Sequence, residues 1–219
     1  MNKSELKHYI AKRAALELKD GDVVNLGIGM PTLVPEYLPE GVTVTLQAEN
    51  GLIGCGPVTE ENRDPHYVYD AGANPAALTA DGCFTDSISS FGLMRGGHLD
   101  VTILGSLEVD ETGSLSNWII PGQRVFGMGG AMDLVVGAKK VIVVMEHTNH
   151  GQPKILKRCT LPYTAVHCVD MVITEMGVME ICEDGIVLKE YNPVYTIEEI
   201  QHATQAQLIL AEDLKPYAT

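Results

Sequence analysis

One carboxylate in the sequence stands where a reactive group would be useful. Glu49 lies in residues 46–57, LQAENGLIGCGP, and is followed by Gly51, Gly54 and Gly56. Glycines at these positions would let a bulky substrate approach the backbone. A desolvated carboxylate can attack a thioester when preorganised amides hold the displaced oxyanion. The alternative is that Glu49 is a turn residue that caps the next element, and the residues alone leave both interpretations open.

Two further segments carry groups that could contact a substrate. Asn25 interrupts the apolar run VVNLGIG, and a buried amide without hydrogen-bond partners costs about 1–3 kcal/mol. Asn25 is either a structural bridge to a neighbouring loop, which the residues alone favour, or a donor to a substrate carboxylate or carbonyl. Residues 127–133 (GMGGAMD) either turn consecutive backbone amides toward one anion or form an ordinary glycine-rich turn.

Two other patterns are weak. The third glycine of a G-x-G-x-x-G dinucleotide fingerprint that begins at Gly27 would fall on Thr32, so a nicotinamide site is not supported. His147 and His150 are spaced by three in EHTNH, but the H-E-x-x-H order is missing and no cysteine lies nearby. We therefore predict no metal site.

Alternating helices and strands must position these residues. Apolar residues recur every fourth position over residues 6–18, which predicts an amphipathic helix. Residues 23–28 (VVNLGI) predict a buried strand, and Pro31 follows where a helix could begin. Residues 42–47 (VTVTLQ) are rich in β-branched side chains and predict a strand, so that Glu49 follows its carboxyl end.

The rest of the chain continues the alternation. The sequence predicts a long structured loop over residues 57–86 and a last helix over residues 196–210, in which Thr196 and Glu199 form a capping box. The fold class is therefore α/β, an open, mostly parallel sheet flanked by helices, and residues 1–219 are expected to form a single domain. Further strands are predicted at residues 101–104, 134–136, 141–145, 171–174 and 186–188.

Composition narrows the function classes. The net charge of -14 disfavours nucleic acid as a partner. No apolar run reaches the roughly 18–20 residues of a membrane span, so we predict no membrane association. The charged N-terminus lacks the features of a secretory signal. The five cysteines form no C-x-x-C pair, which fits reduced thiols and a cytoplasmic location.

Five segments together resemble one family. NLGIGMP, LQAENGLIGCGP, LMRGGHLDVTILG, NWIIPG and GMGGAMDLV are similar, in this order and over nearly the whole chain, to the β subunit of family I CoA-transferases. These include acetate/acetoacetate and butyrate/acetoacetate enzymes and the C-terminal half of fused 3-oxoacid CoA-transferases. The resemblance implies the CoA-transferase (NagB/RpiA-like) type of α/β fold.

The resemblance also implies roles for individual residues. Glu49 matches the nucleophile of an S-E-N-G motif, with Asn50 and Gly51 retained as supporting residues and Ala48 in place of the serine. We expect that replacement to change local hydrogen bonding rather than abolish the chemistry. Asn25 matches a substrate-contacting asparagine. The backbone that lines the reactive carboxylate in the family corresponds here to Gly130 and Ala131.

The implied reaction is ping-pong CoA transfer through a glutamyl-CoA thioester, with CoA and acyl-CoA as substrates and no permanently bound cofactor. A separate α subunit is implied as partner, in an α2β2 heterotetramer. Succinate-using relatives have an N-A-G-K loop where this chain has DAGA at residues 70–73, which favours acetate, butyrate and acetoacetate. The alternatives are a sugar-phosphate isomerase-like or ligand-sensing domain, or a subunit that only completes a partner's site.

Overall fold

The computed structural model describes residues 1–56, 58–60 and 68–218. A 3-10 helix follows the first strand and covers Met30–Tyr37. In the described part of the chain the α-helices are α1 (Lys3–Ala15), α2 (Ser87–Arg95), α3 (Ala131–Gly137) and α4 (Ile197–His202). Within the same residues the strands are β1 (Val23–Leu26), β2 (Thr45–Ala48), β3 (Leu52–Gly56), β4 (Ala77–Phe84), β5 (Val101–Leu104), β6 (Glu108–Asp110), β7 (Leu115–Ser116), β8 (Ile119–Ile120), β9 (Arg124–Val125), β10 (Lys140–Val144), β11 (Thr148–Asn149), β12 (Gln152–Pro153), β13 (Ile155–Leu156), β14 (Met171–Ile173), β15 (Gly177–Cys182), β16 (Gly185–Tyr191) and β17 (Leu208–Pro216).

Ten of these strands form one sheet in the order β17-β16-β15-β14-β10-β5-β1-β2-β3-β4. Its centre, β14-β10-β5-β1-β2, is parallel throughout. Antiparallel neighbours flank that centre: β3 and β4 on one side, β15 and β16 on the other. The edge strand β17 again runs parallel to β16. This arrangement confirms the predicted open, mostly parallel α/β sheet.

The central strands are apolar because both faces of the sheet are covered. On one face, α1 packs Ile10 and Ala14 against Val24 and Ile103. On the other face, a cluster that includes Leu134 of α3 lies beneath α2. The strand registers place Asn25 of β1 beside residues of β2 and β5 on this second face. The helices therefore fix which side chains of the sheet can reach a ligand.

Several predicted elements are confirmed with shifted ends. The first helix ends at Ala15 rather than at residue 18, although Leu18 remains buried. The predicted strands at residues 23–28, 42–47, 101–104, 141–145, 171–174 and 186–188 correspond to β1, β2, β5, β10, β14 and β16. The helix expected near Pro31 is a 3-10 helix.

Two element predictions are wrong. Residues 134–136 belong to α3 and not to a strand. A run of three apolar residues does not distinguish the two states, and here Leu134 is buried while Val136 is 75 % exposed. The last helix stops at His202, and residues 208–216 form β17. The predicted capping box of Thr196 and Glu199 is nevertheless confirmed.

The predicted loop over residues 57–86 is also wrong in part. Residues 57 and 61–67 lie outside the described part of the chain. The strand β4 lies within the predicted loop and pairs with β3. Its sequence, ALTADGCF, contains Gly, Asp and two alanines, which are depleted in strands, so the pattern of the chain concealed it. In the described residues no helix is long and apolar enough to cross a membrane.

Candidate active site

Glu49 lies in a tight turn between β2 and β3. The Gly51 amide donates to the Ala48 carbonyl at 3.0 Å, and the Thr85 amide donates to the Gly51 carbonyl at 2.7 Å. Gly51 has a φ of 114°, and a Cβ atom at this position would overlap the Thr85 carbonyl oxygen. Only glycine fits such a position without movement of the backbone. The turn therefore presents Glu49 at the carboxyl end of β2, as the sequence predicted.

The Glu49 side chain is half-buried and packs against two glycines. A Cβ atom added to Gly130 would lie 3.3 Å from Glu49 Cγ, and one added to Gly129 would lie 3.7 Å from Glu49 Oε1. No described residue donates a hydrogen bond to its carboxylate. Ala131, the first residue of α3, follows directly. The structure thus brings Glu49, Gly130 and Ala131 together, as the resemblance implied.

A cavity of about 690 Å³ lies beside this carboxylate. The carboxyl ends of three parallel strands, β1, β2 and β5, form its floor. Residues 70–72, 74–76, 126–129 and 131 contribute to its walls. Open α/β sheets bind ligands at this edge. The cavity is large enough to accept part of a ligand of drug-like size.

Asn25 is 1 % exposed and lies in the cavity wall. Its Nδ2 donates to the Gln47 carbonyl at 3.0 Å and to Gln47 Oε1 at 2.8 Å. Both amide hydrogens are therefore used within the protein, which favours the structural interpretation, a bridge, although its partner is the neighbouring strand β2 rather than a loop. Its Oδ1 has no hydrogen-bond partner among the described residues.

Sequence reasoning missed two buried residues that continue the hydrogen bonds of this asparagine. Gln47 Nε2 donates to Ser90 Oγ at 2.9 Å, and Ser90 Oγ lies 3.5 Å from the Ala48 carbonyl oxygen. Gln47 is directly beside Asn25 in the register of β1 and β2. Gln47 has one signal in the sequence: like Asn25, it is a polar residue within a predicted strand. Ser90 on α2 has no such signal.

Asn50 and Asp70 organise the loop across the cavity. Asn50 Nδ2 donates to the Tyr69 carbonyl at 2.8 Å. Asp70 Oδ1 accepts from the amides of Gly72 and Asn74, each at 2.8 Å. Asp70 and Gly72 line the cavity, so a negative charge stands in this wall.

One thiol also lines the cavity. Burial and, to a smaller extent, the nearby Asp70 carboxylate together raise the pKa of the Cys55 thiol to about 11. The thiol is therefore protonated at neutral pH. Because the thiolate is the nucleophilic form, this raised pKa disfavours Cys55 as a nucleophile.

The histidine pattern lies elsewhere and is used internally. His147 is fully buried, with Nδ1 2.9 Å from Thr174 Oγ1 and Nε2 2.8 Å from Thr204 Oγ1. Burial, together with the nearby Lys154 charge, lowers the pKa of His147 to about 4. Among the residues that the structure describes, no three His, Cys, Asp or Glu side chains are grouped as metal ligands.

The sequence of this chain matches known proteins over almost its full length. Residues 7–203 match the family model described as coenzyme A transferase. The chain is 51 % identical over 210 residues to the acetate CoA-transferase subunit beta of Haemophilus influenzae, which covers 95 % of this chain and 94 % of the relative. It is 47 % identical to the Escherichia coli protein of the same name, with 96 % of each chain covered.

The fold is also similar to a solved structure. An acyl-CoA transferase from Escherichia coli O157:H7 superposes with a TM-score of 0.77 at 24 % identity. The match covers 97 % of this chain and 43 % of that chain. The same fold is thus found as one part of a longer polypeptide.

Proposed function

Because the chain belongs to the coenzyme A transferase family, we propose that it transfers CoA between a short-chain acyl-CoA and a short-chain carboxylate or 3-oxoacid, with Glu49 as the nucleophile. One observation carries this proposal: the Glu49 carboxylate is unpaired among the described residues and packs against Gly129 and Gly130 beside the cavity. A carboxylate held for structural reasons would be expected to have partners.

The proposed reaction proceeds in two exchanges. A Glu49 carboxylate oxygen attacks the thioester carbonyl carbon, the C–S bond breaks, and the sulfur leaves with its electron pair as a thiolate. The product is a mixed anhydride. The thiolate then attacks the Glu49 carboxyl carbon, the bond between that carbon and the bridging oxygen breaks, and the acyl group leaves with this oxygen as the first carboxylate. A second carboxylate reverses these steps on the resulting glutamyl-CoA thioester, which gives ping-pong kinetics.

Each attack on a carbonyl carbon gives a tetrahedral intermediate with a negatively charged oxygen, and these intermediates form beside Gly129 and Gly130. Gly129 and Gly130 have no side chains to exclude a substrate from the backbone next to Glu49. Backbone amides in this position would stabilise the tetrahedral intermediates, and each such donor contributes about 10²- to 10³-fold in related chemistry. We assign this role to the backbone at Gly130 and Ala131; the Ala131 amide already donates to the Met128 carbonyl at 3.1 Å, so the Gly130 amide is the donor that we propose.

We propose monocarboxylates as the preferred acids, among them acetate, butyrate and acetoacetate. The negative Asp70 lies in the cavity wall, and Ala73 offers no cation to a second carboxylate. A buried carboxylate without a partner is costly. Acetate should therefore be turned over with a much higher kcat/KM than succinate, and equal values would refute this preference.

We also propose a separate α subunit as partner. The relatives at 51 % and 47 % identity are both named subunit beta. An α2β2 heterotetramer in the cytoplasm is the assembly that we expect. The chain without its partner should then fold but show little or no transfer.

The central experiment is a search for the covalent intermediate. The chain is co-expressed with its α partner, mixed with acyl-CoA and analysed by mass spectrometry. We expect an adduct of CoA mass on the peptide that contains Glu49, absent from Glu49→Gln and present in Glu111→Gln, a matched change at an exposed glutamate. An adduct on another residue, or its persistence in Glu49→Gln, would reject the assignment. Binding without any adduct would favour a regulatory or non-catalytic role.

A further inference from the structure

The glycine loop, residues 127–130, lies beside Glu49 and is held at its start by one backbone carbonyl. The Trp118 carbonyl accepts a hydrogen bond from the Phe126 amide at 2.8 Å and another from the Gly127 amide at 3.2 Å. At its other end the loop runs directly into α3. The position of the loop against the catalytic carboxylate therefore depends on where the Trp118 backbone lies.

Trp118, the tryptophan of the NWIIPG segment, is fixed by its own side chain and by its neighbour. The indole Nε1 donates to the Tyr163 carbonyl at 3.2 Å. The Asn117 amide donates to Thr164 Oγ1 at 3.1 Å, and Thr164 Oγ1 donates to Asn117 Oδ1 at 2.7 Å. An indole N–H can only donate. Its removal would therefore leave the Tyr163 carbonyl without this donor and the tryptophan without this anchor.

The segment that receives these bonds, residues 160–164, is fastened to β6 by two carboxylates. Glu108 accepts three hydrogen bonds of 2.6–2.9 Å from this segment. Asp110 Oδ2 accepts from the Tyr163 hydroxyl at 3.0 Å. Hydrogen bonds to a carboxylate are stronger than those between neutral groups. A firmly held segment thus stands at one end of a series of contacts whose other end is Glu49.

We propose that Trp118 is a positioning residue for the transfer reaction: its indole N–H fixes its backbone, and through its carbonyl the glycine loop, so that the Gly130 amide faces the tetrahedral intermediate at Glu49. This inference rests on the proposed function. Trp118 is not one of the described residues that line the cavity, so it acts through the loop and not by contact with the substrate. A shift of about 1 Å in such a group can lower a rate by about 10²-fold.

Removal of the indole N–H tests the proposal, because Trp118→Phe keeps an aromatic ring and loses the donor. The complex with the α subunit is mixed with butyryl-CoA, and the glutamyl-CoA adduct is followed over a single turnover by rapid quenching and mass spectrometry. We expect the rate constant to fall about tenfold, a part of the 10²- to 10³-fold that a whole donor contributes. The dissociation constant of butyryl-CoA, measured in a Glu49→Gln background, should be unchanged, because the interaction acts in the transition state.

A matched control separates positioning from damage to the fold. The Tyr217 hydroxyl also donates to a backbone carbonyl, that of Thr174, at 3.0 Å, but this tyrosine packs in the cluster of α1. Tyr217→Phe should lower stability and leave the rate constant of adduct formation unchanged. Damage to the fold reduces the number of active molecules. It would lower the amplitude of adduct formation in Trp118→Phe and not its rate constant, and that result would refute the positioning role.

A second variant keeps the test decisive if Trp118→Phe does not fold. Replacement of Trp118 by 3-benzothienylalanine retains the bicyclic shape and puts sulfur in place of the N–H, and the same tenfold fall is expected. The Phe126 and Gly127 amides should also exchange hydrogen faster in both variants than in Tyr217→Phe. An unchanged rate constant in a folded variant overturns the role of Trp118 alone. The absence of any adduct at Glu49 in the wild-type complex would instead refute the proposed function, and this role with it.

Discussion

Two groups of polar side chains on the ten-stranded sheet differ in how completely they are paired. Beside the cavity, the Glu49 carboxylate makes no hydrogen bond in the described part of the chain, and Asn25 Oδ1 is buried there without a partner. Behind the sheet, Arg13 of α1 holds Glu190 of β16 through two hydrogen bonds of 2.7 and 3.1 Å and Glu17 through a third of 2.7 Å. Complete pairing stabilises the fold, whereas the unpaired Glu49 carboxylate suits the nucleophilic role that we propose for it.

The first way to test this contrast is to remove the unpaired carboxylate. Glu49→Gln should lower kcat by at least about 10⁴-fold, as the loss of a nucleophile does in other covalent enzymes. Its free energy of unfolding should change by less than about 0.5 kcal/mol, because no internal bond is lost. Steady-state kinetics and urea unfolding measure the two effects. The variant is assayed fresh, since slow deamidation restores the carboxylate.

The second test instead removes Arg13, the hydrogen-bond partner of Glu190. Burial acts to raise the pKa of Glu190, but hydrogen bonds from Arg13 and the Ala218 amide outweigh it and lower that pKa. Arg13→Met leaves this carboxylate buried without its main partner and should lower the free energy of unfolding by about 3–5 kcal/mol. The kcat of the protein that remains folded should be unchanged.

Two controls accompany that change. Adding Glu190→Met to Arg13→Met should recover most of the lost stability, since the uncompensated charge is then removed. Lys189→Met breaks an exposed pair with Asp213 and should shift the urea midpoint little. An equal loss in both single variants would contradict the importance of burial.

The third test uses pH. The pKa of buried His147 is about 4, so the unfolded chain, with a histidine pKa near 6.5, takes up this proton first as the pH falls. Stability from this residue is present above about pH 6.5 and is lost progressively toward pH 4, by ~3 kcal/mol in total. Urea unfolding between pH 7.5 and 4 should show a shallower decline in His147→Gln. His202→Gln, at an exposed histidine, is the control. The same loss of stability with falling pH in His147→Gln and His202→Gln would contradict this prediction.

The smallest expected effect concerns the choice between succinate and acetate in the cavity beside Glu49. Ala73 is exposed and already has a left-handed φ of 61°, so a longer side chain meets no new backbone strain there. Ala73→Lys should raise kcat/KM for succinate about tenfold relative to acetate by supplying a cation. Ala73→Gln is the neutral control. A rise of the same size in both variants would exclude a charge effect.

The position of Glu49 at the carboxyl end of β2 was predictable from the sequence. A β-branched strand, a polar tripeptide and glycines form a local pattern there, and the family resemblance added the prediction that Gly130 and Ala131 lie beside it. Gln47 and Ser90 were not predictable, because the bond from Asn25 to Gln47 depends on strand order and the bond from Gln47 to Ser90 depends on the placement of α2. Both are tertiary properties that no local period encodes.

The errors in the fold have a similar origin. Residues 208–216 form β17 because β16 offers them a parallel partner, and local propensity toward helix does not resist such pairing. Residues 134–136 were mistaken for a strand because apolar runs are ambiguous when short. Where strong local signals such as the capping box of Thr196 were present, the prediction was correct.

The contact between Glu49 and Gly130 has a consequence for the order of folding. The turn that holds Glu49 can form locally, but Gly130 lies roughly 80 residues further along the chain, so their approach closes a long loop at an entropic cost. Non-local contacts of this kind form slowly. Activity should therefore return later than secondary structure during refolding. It should also disappear at lower urea concentrations than the circular dichroism signal of the sheet.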